Sequence, residues 1–328
     1  MLTTRFTELV GCSIPIQQAG MSSVGTPPLA AAVTEAGGLG MLGAARMSAP
    51  ALIAMLDDVQ RRTSGPVGVN FLVPFLDHAC VEVAATRTRL VEFFLGEPEA
   101  ALVDLVHNGG ALAAWQVGSS LEARAAASAG CDFIVVQGIE AGGHVCGHIG
   151  LLPLLSEVLE VVDVPVVAAG GIGTGRAMAA VLAAGAAGVR VGTRFVAAAE
   201  SEAHPAYLDA FLTAGAQDTV LTDAFSVGWP AGWPNVPIRV LRTCLEAANA
   251  FHGAVVAEQL LGDQRMPIPR FGPRVPTKNT SGSIAAMSLA AGESVGAVKR
   301  FQPAGDIVRE LSNGAEALLR KWSAVAPR

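Results

Sequence analysis

Three observations predict an α/β fold, a closed (β/α)8 barrel with an inserted, mainly helical lid. Short apolar runs ending in Gly, Asn or Gln alternate with Ala-, Leu- and Glu-rich stretches over the first 200 residues. Such alternation marks parallel βαβ units. Eight of these runs can be picked out, the number a closed barrel needs, with an open doubly wound sheet as the alternative. The length of 328 residues fits two domains, or one barrel with an insertion, at roughly 150 residues per domain.

The expected strands are residues 14–18, 39–42, 67–70, 91–95, 111–116, 133–137, 166–169 and 188–191. Residues 133–136 and 164–169 are apolar on both faces, as strands enclosed by two layers must be. Helices are expected over 28–36, 49–61, 98–106, 120–129, 151–161 and 175–184. Ser48, Ser119 and Thr174 stand where a side chain can cap the first turn. Beyond about residue 205 the composition changes. Trp229-Pro230 and Trp233-Pro234 lie close together, and Pro267, Pro269, Pro273 and Pro276 crowd another stretch. Prolines at this density resist regular structure. Between them 238–261 reads as a helix, 284–298 reads as a second, Ala-rich one, and 306–323 as a last one. The expected division is a barrel over 1–202, a lid over 203–283 and C-terminal helices returning to the barrel over 284–328.

Composition removes several function classes. A net charge of -6 with a pI near 5.5 argues against a general nucleic-acid binder, which needs a basic face. With 51% hydrophobic and 15% charged residues the chain is not disordered. The mean hydropathy of +0.46 raises the question of a membrane. Residues 177–189 are too few for the roughly 20 a span needs, and 149–162 are broken by Pro153, Glu157 and Glu160. No membrane partner is expected. The first residues lack a basic-then-apolar signal, so the expected compartment is the cytoplasm. Five scattered cysteines without a C-x-x-C pair form neither a disulfide framework nor a zinc ribbon.

In such a barrel, chemistry belongs at the C-terminal ends of the strands. Here these read Gln18-Ala19-Gly20-Met21, Asn70, Gln116, Gln137-Gly138, Ala169-Gly170-Gly171-Ile172-Gly173 and Gly192-Thr193. Amides and glycines dominate, and no carboxylate pair stands out. Neutral amides suit the polar edge of a flat heterocycle better than glycosidase or hydrolytic-metal chemistry. The glycine turns at 170–175 and 192–193 follow the last two strands, where barrels bind phosphate; tight turn-making is the plainer explanation, and phosphate the preferred one. Arg176 and Arg194 could assist the phosphate or form rim salt bridges. Gly38-Leu39-Gly40-Met41-Leu42-Gly43 spells G-x-G-x-x-G, but the motif itself reads as a strand, so it is no dinucleotide fingerprint.

The most unusual segment is Gln137-Gly138-Ile139-Glu140-Ala141-Gly142-Gly143-His144-Val145-Cys146-Gly147-His148. Three readings compete: His144 as general base or substrate hydrogen-bond donor, a metal site from His144, Cys146 and His148, or a loop with incidental histidines. The first is preferred, because Gly142-Gly143 clears space for a flat ligand. No metal is expected. His78, His107, His204 and His252 show no partner pattern. Lys278 could reach the site from the lid.

These strand ends, together with Gly68-Val69-Asn70, Ala168-Ala169-Gly170-Gly171-Ile172 and Gly192-Thr193-Arg194-Phe195, resemble the nitronate monooxygenase family, formerly 2-nitropropane dioxygenase. The resemblance covers the barrel and reaches Ala291-Gly292-Glu293-Ser294-Val295-Gly296. Flavin-dependent enoyl-ACP reductases and certain NADH:quinone reductases look similar and keep the same histidine. The resemblance implies a TIM barrel that binds FMN. It places Asn70, Gln137, Gly142, Gly171 and the run Arg190, Val191, Gly192 and Thr193 at the cofactor, with Met21 and Gln116 near the flavin ring. Ala19, Gly20 and Gly170 complete the expected set. His144 is then the catalytic residue.

The implied reaction is oxidation of an alkyl nitronate by O2 to a carbonyl compound and nitrite. The alternative is NAD(P)H-dependent reduction of an enoyl thioester or a quinone. The partners are thus a small-molecule substrate and O2, with NAD(P)H optional and a homodimer as an optional assembly. A non-catalytic flavin binder and a metal-dependent hydrolase are the readings from other classes. In this family several tyrosines line the site, whereas this chain has only Tyr207 and offers Trp229 and Trp233 in its lid.

Overall fold

The computed structural model describes residues 2–231, 236–262 and 264–323; Trp233 and Pro234 lie outside them. Eight parallel strands make the barrel: β1 (Ile16–Gln18), β2 (Gly40–Gly43), β3 (Val67–Leu72), β4 (Leu90–Phe94), β5 (Leu112–Val117), β6 (Phe133–Gln137), β7 (Val166–Ala169) and β8 (Gly188–Val191). The expected strands are therefore all present. Neighbours along the chain pair in parallel, and β8 pairs with β1 through Ile16–Val189 to Gln18–Val191. A bridge from Gln17 to Leu39 joins β1 to the residue before β2 and closes the ring.

Strand alternation sorts the side chains into two layers. Val69, Phe71, Val91, Phe93, Trp115, Ile134 and Val136 face outward and join the core under the helices. Leu39, Met41, Leu90, Ala114, Phe133, Val135 and Val167 fill the lumen together with Phe6 and Val10. The last two come from α1 (Arg5–Val10), whose Phe6 packs edge-on against Phe133 at 5.4 Å and plugs the N-terminal end of the barrel. The outer helices are α2 (Pro27–Glu35), α3 (Ala49–Arg62), α4 (His78–Arg87), α5 (Ala100–Asn108), α6 (Ser120–Ser128), α7 (Leu151–Leu159) and α8 (Gly175–Ala183). Thr26, Ser119 and Thr174 cap their helices through side-chain oxygens, whereas Ser48 makes no such bond. After the four-residue α9 (Thr193–Val196), the chain leaves the barrel. It returns as α12 (Ala304–Ser323), which packs on α8 and α2.

The segment between is not mainly helical, which corrects the expected lid. Besides α10 (Pro205–Thr213) and α11 (Arg242–Ala250) it holds β9 (Thr219–Thr222), β10 (Ile238–Leu241), β11 (Val255–Leu261), β12 (Gln264–Pro269) and β13 (Thr280–Gly282). They form two three-stranded antiparallel sheets, one of which takes in Gly143–His144 of the barrel loop. Residues 238–261 are thus strand, helix and strand. Ile238 and Val240 are buried as β10 pairs with β9, and Gly253 breaks the chain before β11. Residues 284–298 are likewise no helix but two short 3-10 turns, Ile284–Ala286 and Glu293–Ala297, in a stretch interrupted by glycines. Tyr207, Phe211, Phe225, Val240, Val256 and Leu289 form a separate lid core. Among the described residues no helix is long and apolar enough to cross a membrane.

Candidate active site

The same alternation that fills the lumen places Gln17, Asn70, Glu92, Gln116 and Arg190 inside the barrel above the apolar plug. Glu92, fully buried on β4, is the hub. It accepts from Gln17 Nε2 at 2.7 Å, Asn70 Nδ2 at 2.8 Å and Arg190 Nη1 at 2.5 Å, and Arg190 also bonds to Gln116 Oε1. The expected Asn70, Gln116 and Arg190 therefore meet, but through a carboxylate the motif reading passed over. Its one signal was a lone charge within the apolar run Leu90-Val91-Glu92-Phe93-Phe94. Gly20 lies against Asn70, so close that a Cβ on it would come within 2.6 Å of the Asn70 Cβ. Ala19 donates its N–H to the Val191 carbonyl at 2.9 Å. Val191 turns its side chain outward into the helix-facing core, so only its backbone faces this end. Met21 packs against both the barrel and the lid cores.

The glycine turns hold the backbone bare. Gly170 and Gly171 adopt φ of 108° and 66°, a region open to glycine at little cost. At Gly192 a Cβ would touch only the Ala19 Cβ. Thr193 Oγ1 accepts from Gly292 N at 3.0 Å, and Gly142 packs so tightly on Gly292 that a Cβ would lie 2.3 Å from its nitrogen. The C-terminal stretch thereby ties the two glycine-rich loops together. Arg194 reaches the Gly173 carbonyl at 2.6 Å and forks onto Glu310 of α12, so it braces the turn. Arg176 is exposed, and Lys278 donates to the Ser201 carbonyl at 2.7 Å rather than reaching this site.

The His144 loop is held from three sides. Gln137 Nε2 donates to the His144 carbonyl at 2.9 Å, and its Oε1 accepts from Cys146 N at 3.2 Å, so Gln137 positions the loop. Arg239 of β10 donates twice to the Ile139 carbonyl, at 3.1 and 2.8 Å. Glu140 accepts from Leu151 N at the start of α7. The His144 ring keeps a small exposed surface, yet the protein packed round it pushes its pKa down to about 4, only partly opposed by the Val236 carbonyl. A carbonyl can only accept, so the 3.4 Å contact to Val236 puts the proton on Nδ1. Nε2 then carries the lone pair of a neutral imidazole. Burial drives the Cys146 thiol up to about 12, and His148 is exposed. Among the described residues no three His, Cys, Asp or Glu gather as for a metal ion.

An aromatic wall flanks the histidine. Trp229 lies 5.0 Å from the His144 ring and 5.3 Å from Phe75, edge-on, and Arg46 stacks on Phe75 at 3.9 Å. Phe75 and Arg46 carried no sequence signal. Tyr207 sits in the lid core with its hydroxyl bonded to the Ala290 carbonyl at 2.5 Å, away from substrate duty. Neutral amide ends, an arginine in a charge-balanced cluster and bare glycine backbone fit the ring edge and phosphate of a flavin nucleotide.

Known proteins carry the same build. A family model described as nitronate monooxygenase matches residues 3–314. A (3aS,4S,5R,7aS)-5-hydroxy-7a-methyl-1-oxo-octahydro-1H-indene-4-carboxyl-CoA dehydrogenase of Rhodococcus jostii is 37% identical over 78% of this chain and 71% of its own. A probable nitronate monooxygenase of Staphylococcus aureus is 30% identical over 68% of this chain and 76% of its own. Among solved structures, FabK from Thermotoga maritima superposes with a TM-score of 0.80 at 29% identity, over 99% of this chain and 100% of that one. A nitroalkane oxidase from Streptomyces ansochromogenes does so with 0.77 at 29%, over 97% and 100%. With the barrel, the amide cluster and the glycine-held histidine in place, the chain belongs to the nitronate monooxygenase family of oxidoreductases.

Proposed function

We propose that this protein is an FMN-dependent oxidoreductase that takes nitroalkanes and their nitronates, with O2, to a carbonyl compound and nitrite. The observation that carries the reading is the neutral His144 ring, with Nε2 unprotonated, beside an aromatic wall and above an amide-rich barrel. A neutral imidazole removes a proton from a carbon acid, whereas a protonated one would hold a preformed anion. The glycine turns at Gly170-Gly171 and Gly192-Thr193 would hold the phosphate. Asn70 and Gln116 would meet the ring edge, and Arg190 would balance charge there. Bound FMN would supply the electron transfer that side chains cannot. Phe75 and Trp229 would restrict water at the base.

A second reading rests on the relatives from Rhodococcus jostii and Mycobacterium tuberculosis, each 37% identical and named as a CoA-ester dehydrogenase, and on the burial of Tyr207 away from the site. It makes the substrate an acyl thioester, with NAD(P)H as the electron donor. Anaerobic mixing of holoenzyme with NADH, then with nitroethane or its nitronate in air, separates the two. The first reading expects nitrite and no bleaching of the flavin by NADH. Rapid bleaching by NADH without nitrite from either nitro compound would replace it with the second.

A further inference from the structure

Among the described residues, three buried side-chain atoms lack any hydrogen-bond partner: Gln17 Oε1, Ser288 Oγ and Trp229 Nε1. Gln17 belongs to the Glu92 cluster, and Ser288 lies among the apolar residues of the lid. Trp229 alone borders His144. Leaving a buried donor unbonded costs about 1–3 kcal/mol, so such a group in a site calls for a partner that arrives with the ligand.

The position of the indole is built rather than incidental. Trp229 ends a strap, residues 226–229, and follows Gly228, whose φ of 88° lies in the left-handed region that favours glycine. Arg46 Nη2 donates to the Gly228 carbonyl at 2.5 Å, Val227 N to the Phe271 carbonyl at 3.1 Å, and Trp229 N to the Ser226 carbonyl at 3.0 Å. The edge-on contact with Phe75 fixes the ring from the barrel side. The result is an indole with an unbonded, buried N–H, its ring centroid 5.0 Å from that of His144.

We propose that Trp229 Nε1–H is the hydrogen-bond donor for the substrate oxygen that gains negative charge when His144 removes the neighbouring proton. The proposal rests on the reading of His144 as base. In the step, the C–H bond breaks, its proton goes to His144 Nε2, and the electron pair moves through the adjacent double bond onto the oxygen facing the indole. That oxygen belongs to a nitro group in the first functional reading and to a thioester carbonyl in the second. Indole N–H donates only, so Trp229 stabilises charge without exchanging protons. A donor aimed at developing charge in a water-poor site acts chiefly on the transition state.

The test uses the holoenzyme, wild type and Trp229→Phe, titrated with propionate, a planar carboxylate standing in for the charged species. Flavin absorbance reads binding, and nitroethane turnover is measured in parallel. The Phe variant is expected to bind propionate at least tenfold more weakly. It should turn over nitroethane about 10²-fold more slowly with KM little changed, flavin content and thermal transition being those of wild type. In wild type carrying 15N-indole tryptophan, the Trp229 N–H resonance should move downfield on adding propionate, a readout needing no variant. Equal propionate affinity in both proteins, an unmoved resonance, or a rise in KM at unchanged kcat would overturn the proposal. A wild type inert toward nitroethane that still binds propionate through Trp229 would remove the first functional reading and leave the donor standing. Acetyl-CoA titrated alongside then distinguishes a carbonyl oxygen from a nitro oxygen.

Discussion

Glu92, inside the barrel, and His144, at its mouth, are both set among protein atoms, and they are treated in opposite ways. Glu92 is fully buried and keeps its charge company: an arginine and two amides point their donors at it within 2.8 Å. His144 is held by its backbone, through Gln137 and β10, while its ring makes one long hydrogen bond, to the Val236 carbonyl. The satisfied cluster makes a rigid floor. The under-bonded ring keeps its lone pair for something else. Bonds are complete in the floor, and one is missing at the mouth, where the proposed chemistry is placed.

The largest effect should come from removing the missing bond's owner. His144→Ala is expected to lower turnover by about 10²- to 10⁴-fold, with flavin content and thermal stability near those of wild type. A variant that loses flavin as well would show that the histidine helps to hold the cofactor and would blur the contrast with Glu92.

Glu92→Gln attacks the floor. Arg190 would be left as a buried charge without its counter-ion, which costs about 3–5 kcal/mol. Denaturant unfolding of the cofactor-free protein should show the loss directly. A change below 1 kcal/mol would mean that the cluster relaxes around the arginine, and that the floor is less rigid than its bonds imply.

How much of this was legible in the sequence follows from the same contrast. The eight strands were, because apolar runs between helical stretches have few other uses. His144 stood out as a candidate because a glycine-rich loop presents it, although Gly142 is bare for its close contact with Gly292 and Gly143 for its positive φ of 75°. Glu92 was not: one carboxylate in an apolar strand gives no spacing to read, and its meaning depends on Arg190, which lies almost a hundred residues away. The helix α4 was missed because Cys80, Val81, Ala84 and Ala85 mark its buried face only weakly. Residues 238–261 were misread because a buried apolar run looks alike in strand and helix until its sheet partner is known. Here that partner includes His144 itself.

Acid should sharpen the contrast next. The ring's folded pKa of about 4 lies below the value of about 6.5 expected in the unfolded chain. The unfolded chain therefore takes up the proton first. Stability is full above about pH 6.5 and declines as the pH falls toward 4, by at most about 3 kcal/mol. Stability curves of wild type and His144→Gln should part over that window, with the variant losing less. Curves that stay parallel would mean that the ring is hydrated and that its neutral state is not enforced by burial.

Arg46 supplies the smallest and most local test. It is exposed, it stacks on Phe75, and it donates to the Gly228 carbonyl beside Trp229. It belongs to neither the floor nor the base, so Arg46→Ala should leave the global unfolding free energy unchanged. What it should alter is the hold on the strap beside His144. An exposed cation–π contact is worth about 0.5–1 kcal/mol, equivalent to a two- to fivefold shift in the population of the strap held in this place. KM for nitroethane should rise by about that factor while kcat holds, and backbone amides of 226–229 should exchange faster with solvent. If kcat falls instead, the strap's position matters to the chemical step itself, and the mouth is as tightly specified as the floor.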